Sequence, residues 1–158
     1  GIEIENRIDP AQIPGEFHEA IREAINEATL SGVKSGYPMM DLKVTLIGGS
    51  FKEGESSAIG YKIATATAFR DACAKADPVL LEPIMKVNII TPSDFVGEVI
   101  GDVNVRRGLI EGIDNRGIIC EVQAKIPLKE MFGYSTDLRS ATQGRAVFSM
   151  HFFKYDRI

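Results

Sequence analysis

The 158-residue chain has no tryptophan, only two cysteines and only two histidines, and each scarcity closes off a class of function. Cys73 falls in a helical pattern and Cys120 in an alternating strand pattern, which excludes a disulfide framework and suits two small core residues. His18 and His151 have no partner in an H-x-x-x-H or C-x-x-C arrangement, so no recognised metal site forms: metal, none. There is no G-x-x-x-x-G-K-[ST] phosphate loop and no G-x-G-x-x-G, which removes the recognised nucleotide-binding devices. No nucleophile, base and orienting group fall into a catalytic spacing, so the expectation is catalytic residues, none, and no cofactor held by these residues. No apolar run approaches the ~20 residues that span a bilayer, and the N-terminus lacks a basic start followed by an apolar stretch. A cytoplasmic location without membrane contact is expected.

What is present is an ordinary globular composition, 44% hydrophobic and 25% charged, long enough for one medium core or two small ones. The net charge of −4 is unevenly spread. Seven acids (Glu3, Glu5, Asp9, Glu16, Glu19, Glu23, Glu27) face two bases (Arg7, Arg22) in residues 1–32. The remainder is near neutral and can hold local basic patches.

Ala76 to Met85 divides the pattern. Asp77-Pro78 and Glu82-Pro83 bracket a short apolar run, and two prolines so close cannot both sit inside one helix or one central strand. The stretch reads as a junction over 79–83 between domains at 1–78 and 84–158, with Pro78, Glu82 and Pro83 as hinge residues. In the first half Ile2, Ile4 and Ile8 alternate with charges as a half-buried strand. Pro14 opens a helix whose face is Phe17, Ile21, Ala24, Ile25 and Ala28, closed by Ser31-Gly32. Met40, Leu42, Val44 and Leu46 make a second strand. A glycine-rich loop at 48–57 leads to a helix capped by Ser56 or Ser57, with Ile59, Ile63, Ala66, Phe69 and Cys73 as its buried side.

In the second half, residues 84–91 read as a strand. Thr91-Pro92-Ser93-Asp94 is a helix start with a cap, a proline and an acid three residues after the cap. The helix face is Phe95, Val96, Val99, Ile100 and Val103, and Gly97 with Gly101 is expected to permit close packing of that helix. Strands at 109–113 and 118–126 flank an Asp114-Asn115-Arg116-Gly117 turn. A short helix from Pro127, a polar helix through Leu138 and a strand at 146–153 complete the order β-α-β-β-α-β, that of the ferredoxin-like split βαβ. The fold class is α+β: two small α/β sandwich domains.

Two groups are candidates for contact with phosphates. Arg106, Arg107, Arg139 and Arg145 carry forked guanidiniums that match phosphate geometry, although cations also suit helix C-termini. The loop at 48–57 offers Ser50, Phe51, Lys52, Glu53, Ser56 and Ser57, an aromatic and a cation among small polar residues; plain connectors can share that composition.

Three stretches carry a resemblance: LLEPIMKVNIITP, GEVIGDVNVRRGLIEGID and IPLKEMFGYSTDLRSATQGRAVFSMHF are similar to the C-terminal part of bacterial elongation factor G, the ribosomal translocase. Upstream, IPGEFHEAI and SGYPMMDLKVTLIGGSF resemble the latter part of that family's fourth domain. The resemblance implies most of a fourth domain with a left-handed βαβ crossover, against the usual right-handed preference, followed by a ferredoxin-like fifth domain. It also implies that the opening strands of the fourth domain are missing, which leaves a sheet edge open to pairing with another chain.

Function follows by the same implication. The fourth domain would be an arm whose tip loop, 48–57 here, holds the transfer RNA–messenger RNA duplex in the small subunit. The four arginines would face large-subunit ribosomal RNA. Family members commonly carry a histidine where Lys52 stands and an aspartate where Glu55 stands. The parent would be a monomeric GTPase using GTP and magnesium in a domain absent here, so this fragment itself would not be an enzyme. A ribosomal protection or ribosome-recycling paralogue is the alternative, and a small-molecule-binding regulatory module is a third reading.

Overall fold

A computed structural model describes all of residues 1–158, which divide into two compact units, Gly1–Val79 and Leu80–Ile158. In the first unit the alternating isoleucines form β1 (Ile2–Asn6), which pairs in parallel with β2 (Leu42–Leu46), Ile2 opposite Leu42 and Asn6 opposite Leu46. A parallel pair needs a crossover, supplied by a 3-10 turn at Gly15–Phe17 and α1 (His18–Ser31). Ala20, Ile21, Ala24, Ile25 and Ala28 recur at helical spacing and are buried. Ile8, Ile13, Ile21, Ile25, Phe69 and Cys73 make the core, with Ile4, Val44 and Leu46 packed against it.

Gly32 ends α1 with φ 61° and ψ 175°, and a Cβ there would lie 2.0 Å from the Tyr37 carbonyl oxygen. Only glycine fits, because that region of φ/ψ space excludes side chains. The turn closes when the Met39 amide donates to the Thr29 carbonyl.

α2 (Ala58–Lys75) is capped as expected: the Ser57 hydroxyl accepts from the Gly60 amide at 3.1 Å. Its expected buried side needs correction. Phe69 and Cys73 are buried, but Ile59 and Ile63 are 71% and 64% exposed. Tyr61, between those two residues, packs against the core, so the inward side of α2 runs through Tyr61, Phe69 and Cys73 and leaves Ile59 and Ile63 on the outward side. Neither β1 nor β2 has a second neighbour.

The second unit contains β3 (Leu81–Pro92), α3 (Val96–Val105), β4 (Leu109–Arg116), β5 (Ile119–Pro127), α4 (Tyr134–Ala141) and β6 (Val147–Arg157). Every adjacent pair is antiparallel and the order across the sheet is β4-β5-β3-β6. This is the ferredoxin-like arrangement, and with the first unit it makes the chain α+β. Val87, Ile89, Val122, Ala124 and Ile126 pack with Val99, Val103, Met131, Tyr134 and Leu138 as the core.

Several boundaries differ from the sequence reading, each for a local reason. β3 starts at Leu81, so Glu82 and Pro83 are strand residues opposite Asp156 and Tyr155, not junction residues. Pro83 is tolerated because pairing with β5 begins only at Ile84, so its missing N–H removes no ladder bond on that side. Thr91 does not cap a helix: it is buried in β3 opposite Cys120, held extended by the following proline. A 3-10 turn at Ser93–Phe95 precedes α3, and the Ser93 hydroxyl donates to the Gly117 carbonyl at 2.7 Å. The hairpin turn is Gly117-Ile118, because Arg116 still pairs with Ile119, and Gly117 takes φ 79° as the first central residue of a two-residue turn. Gly97 and Gly101 are exposed and added Cβ atoms would meet nothing, so they do not serve close packing. β6 runs on to Arg157, past the expected end at Phe153.

Candidate nucleic-acid interface

Unit 1 organises its glycine-rich loop through the two segments beside it. The Tyr61 hydroxyl, one turn into α2, donates to the Ser50 carbonyl at 2.7 Å. Phe17, just ahead of α1, lies 4.9 Å from the Tyr61 ring and 6.0 Å from the Phe51 ring. Gly49 lets the chain approach Ile13, whose Cδ1 would be 2.6 Å from an added Cβ. Beyond this aromatic anchor the loop folds on itself. The Lys52 amide donates to the Ser56 hydroxyl at 2.8 Å, the Lys52 carbonyl accepts from the Glu55 and Ser56 amides, and Gly54 takes φ 76°.

Of the loop candidates, Ser50, Ser56 and Ser57 therefore shape the loop, through a backbone carbonyl, a hydroxyl and a helix cap. Phe51 is 42% exposed, with part of its ring free to meet a partner. Lys52 reaches the Glu55 carboxylate at 2.7 Å, both exposed, a pair that solvent weakens and an incoming phosphate can displace. Glu53 is exposed and makes no ion pair. Sequence reasoning missed Phe17 and Tyr61 as loop anchors; Tyr61, four residues after the Ser57 cap, falls one helical turn away, which was the available signal.

Unit 2 separates its arginines into two kinds. The Arg106 guanidinium is almost enclosed: Nε donates to Asp102 at 2.8 Å, the other nitrogens donate to the Glu130 carbonyl and Asp137, and the plane lies 4.9 Å from the Tyr134 ring centre. Burial works against its charge, and Asp102 and Asp137 outweigh that effect to hold it protonated. Burial pushes the Tyr134 hydroxyl well above the usual phenol range. Arg107, with φ 58°, donates to the buried Glu82 carboxylate at 2.7 Å and lies 3.7 Å from Glu130. Lys129 adds a contact to Glu82 at 3.4 Å. Arg107 first and Lys129 with it hold the Glu82 carboxyl below its usual value, against burial. Glu82 and Arg107 thus join the start of β3 to the end of α3.

Arg139 and Arg145 are different. Both are exposed and neither has a carboxylate within ion-pair distance. Arg139 lies at the end of α4, where its carbonyl accepts from the Gly144 amide, and the Arg145 guanidinium stands 5.5 Å from the Phe95 ring. Within unit 2 these two remain available to an anion, while Arg106 is committed to the fold and Arg107 is shared with Glu82. Pro78 is the penultimate residue of unit 1, its carbonyl accepting from the Lys34 ammonium at 3.3 Å.

The residues do not fit GTP or magnesium. The phosphate-loop sequence is missing, and no group of three or more His, Cys, Asp or Glu side chains converges as a metal-binding set. No helix is long and apolar enough to cross a membrane.

Comparison with known proteins places both units. The family profile described as "Elongation factor G, domain IV" matches residues 1–77, and "Elongation factor G C-terminus" matches residues 79–158. Elongation factor G 2 of Syntrophus aciditrophicus (strain SB) is 55% identical over 157 residues, 99% of this chain and 23% of that protein. Elongation factor G of Aquifex pyrophilus is 50% identical over 158 residues, all of this chain and 23% of that protein. A crystal structure from Thermus thermophilus superposes with a TM-score of 0.86 at 37% identity, over 99% of this chain and 24% of that one. The chain thus spans about a quarter of the length of the relatives it matches. With a domain IV match on the first unit and a C-terminus match on the second, the chain belongs to the elongation factor G family.

Proposed function

We propose that the chain is the ribosome-binding C-terminal region of a GTP-driven elongation factor that promotes movement of transfer RNA and messenger RNA in the cytoplasm. The observation that carries this reading is the family match across both units, 55% identical over nearly the whole chain. In this role unit 1 is the arm. Its loop at 48–57 is held at the base by the Phe17–Tyr61–Ser50 contacts and presents Phe51 and Lys52 toward the transfer RNA–messenger RNA duplex. An anchored loop loses less conformational freedom on binding than a loose one. Unit 2 supplies Arg139 and Arg145 to phosphates of ribosomal RNA, with Arg107 contributing its exposed portion. GTP hydrolysis and magnesium belong to a part of the parent outside these residues. The intact factor would use GTP-linked rearrangement to place the arm, which then blocks backward slippage by bulk and charge.

A filter-binding titration against ribosomes across a salt series tests the assignment. Lys52→Ala, Arg139→Ala and Arg145→Ala are each expected to weaken binding and reduce the salt slope by about 1. Unchanged affinity and slope in all three would sink it. A second reading, a protection or recycling paralogue of the same family, draws on Lys52 being tied to Glu55 at the tip. Subunit splitting by the full-length parent without stimulated translocation would favour it.

A further inference from the structure

The helices of unit 2 cover one face of its sheet, and the other face carries no element. Because Val87, Ile89, Val122 and Ala124 point to the helices, alternation sends Lys86, Asn88, Gln123 and Lys125 to the open face. The strand register sets them in two rows: Lys125, Lys86 and His151 lie side by side across β5, β3 and β6, and Gln123, Asn88 and Ser149 form the next row.

Phe153 completes the arrangement. It is the extra residue at an irregularity in β6, between Phe152 opposite Met85 and Lys154 opposite Ile84, and such bulges re-aim a side chain. Its ring reaches from the edge strand across β3, with its centre 4.8 Å from the Lys86 ammonium and 4.4 Å from the Lys125 ammonium. It remains 38% exposed. Lys86 and Lys125 are direct cross-strand neighbours of like charge, an unfavourable pairing. Glu111 neutralises Lys125, while Lys86 has no carboxylate within ion-pair distance. The nearby Asp114 and Glu121 share Arg116, at 2.8 and 3.6 Å. In the second row the Asn88 side-chain oxygen is buried and accepts no hydrogen bond, directly opposite the Gln123 amide.

We infer that this open face binds single-stranded RNA, two or three unpaired nucleotides laid across the strands. One base stacks on Phe153, Lys86 meets the phosphate, and the Asn88 and Gln123 amides meet base edges. A four-stranded sheet with an exposed aromatic and flanking cations is a known platform for unstacked bases. The unpaired Lys86 ammonium beside the exposed Phe153 ring favours an anionic, ring-bearing ligand over a docked protein face, and apolar side chains such as Ile90 and Val147 lie at one end. The inference stands on the sheet itself and does not require the ribosomal reading.

Fluorescence anisotropy of the 158-residue chain with labelled eight-nucleotide RNAs of mixed sequence, single-stranded and duplex, tests it. Saturable binding to the single strand is expected, weakened about 5- to 100-fold by Phe153→Leu, which keeps an apolar side chain but removes the stacking ring. Lys86→Gln should lower the salt slope by about 0.7, and it serves as an independent variant should Phe153→Leu disturb the sheet. Lys75→Ala, an exposed lysine at the end of α2 in the other unit, should leave this binding unchanged. The inference is overturned by no saturable binding to the single strand, by wild-type binding in both Phe153→Leu and Lys86→Gln, by an equal loss of duplex binding in those two variants, or by a loss confined to Lys75→Ala.

Discussion

Replacing Gly32 by alanine should cost unit 1 about 3 kcal/mol. The residue sits at φ 61° and ψ 175°, a combination that costs a side-chain-bearing residue about 1–3 kcal/mol. A methyl group there would also meet the Tyr37 carbonyl oxygen at 2.0 Å. That atom belongs to the backbone of a turn pinned by the Met39–Thr29 hydrogen bond, so relief requires moving the chain, at an overpacking cost of about 1–3 kcal/mol. A unit of this size has a total stability of about 4–12 kcal/mol, and 1 kcal/mol corresponds to about 4–8 °C in melting temperature. The first unit should therefore melt about 12–24 °C lower by calorimetry. Unit 2, whose core shares no residue with that of unit 1, should keep its transition. Gly36→Ala is the control: it has φ 72° but open space around the missing Cβ, and should cost about 1–2 kcal/mol. Asparagine at position 32 should not rescue, because its tolerance of positive φ applies near ψ 47°, not 175°. A Gly32→Ala loss under 1 kcal/mol, or full rescue by asparagine, would refute the reasoning.

Two further outcomes follow from the interactions described. Because Arg107 and Lys129 hold the folded Glu82 carboxyl below its ordinary value of about 4.3, its contribution is complete above that value and is lost as pH falls through the depressed folded value. Urea midpoints of unit 2 measured from pH 6 to pH 2.5 should fall less steeply in Glu82→Gln than in the wild type; parallel curves would remove Glu82 from the acid response. Tyr61→Phe deletes the hydroxyl bond to Ser50 and keeps the ring against Phe17. Amide exchange in residues 50–56 should then quicken about 2- to 10-fold, in keeping with the ~0.5–1.5 kcal/mol of one hydrogen bond, while the middle of α2 stays as protected as before.

Patterns that repeat within one element are legible in the sequence, and partners far along the chain are not. The alternation around Val87 and Ile89, the 3.6-residue spacing of α1 and the Ser57 cap each depend on near neighbours, and each reads directly from residue order. The inward side of α2 is set by its packing against α1 and Phe17, which no helical pattern contains, so Ile59 and Ile63 read as buried and are not. Thr91 satisfies every local rule for a helix cap, yet pairing with Cys120 keeps it in the strand. The same limit governs the candidate site. Forked arginines signal phosphate contact only while their donors are free, and the carboxylate that occupies Arg106 from α4 is 31 residues away. Nothing near Arg107 in the sequence points to Glu82, and Glu82 reads as a flexible hinge because its buried environment is assembled by β6 and the end of α3.

Glu82 also guards the alignment of the strands. A shift of β3 by two residues against β5 and β6 would keep every apolar side chain on the helix side, so alternation alone cannot forbid it. Such a shift moves the carboxylate about 7 Å, away from Arg107 and Lys129, and strands a buried negative charge without a partner. An ion pair at the very start of the strand thereby acts as a proofreading latch, rejecting misaligned sheets that hydrophobic burial would accept.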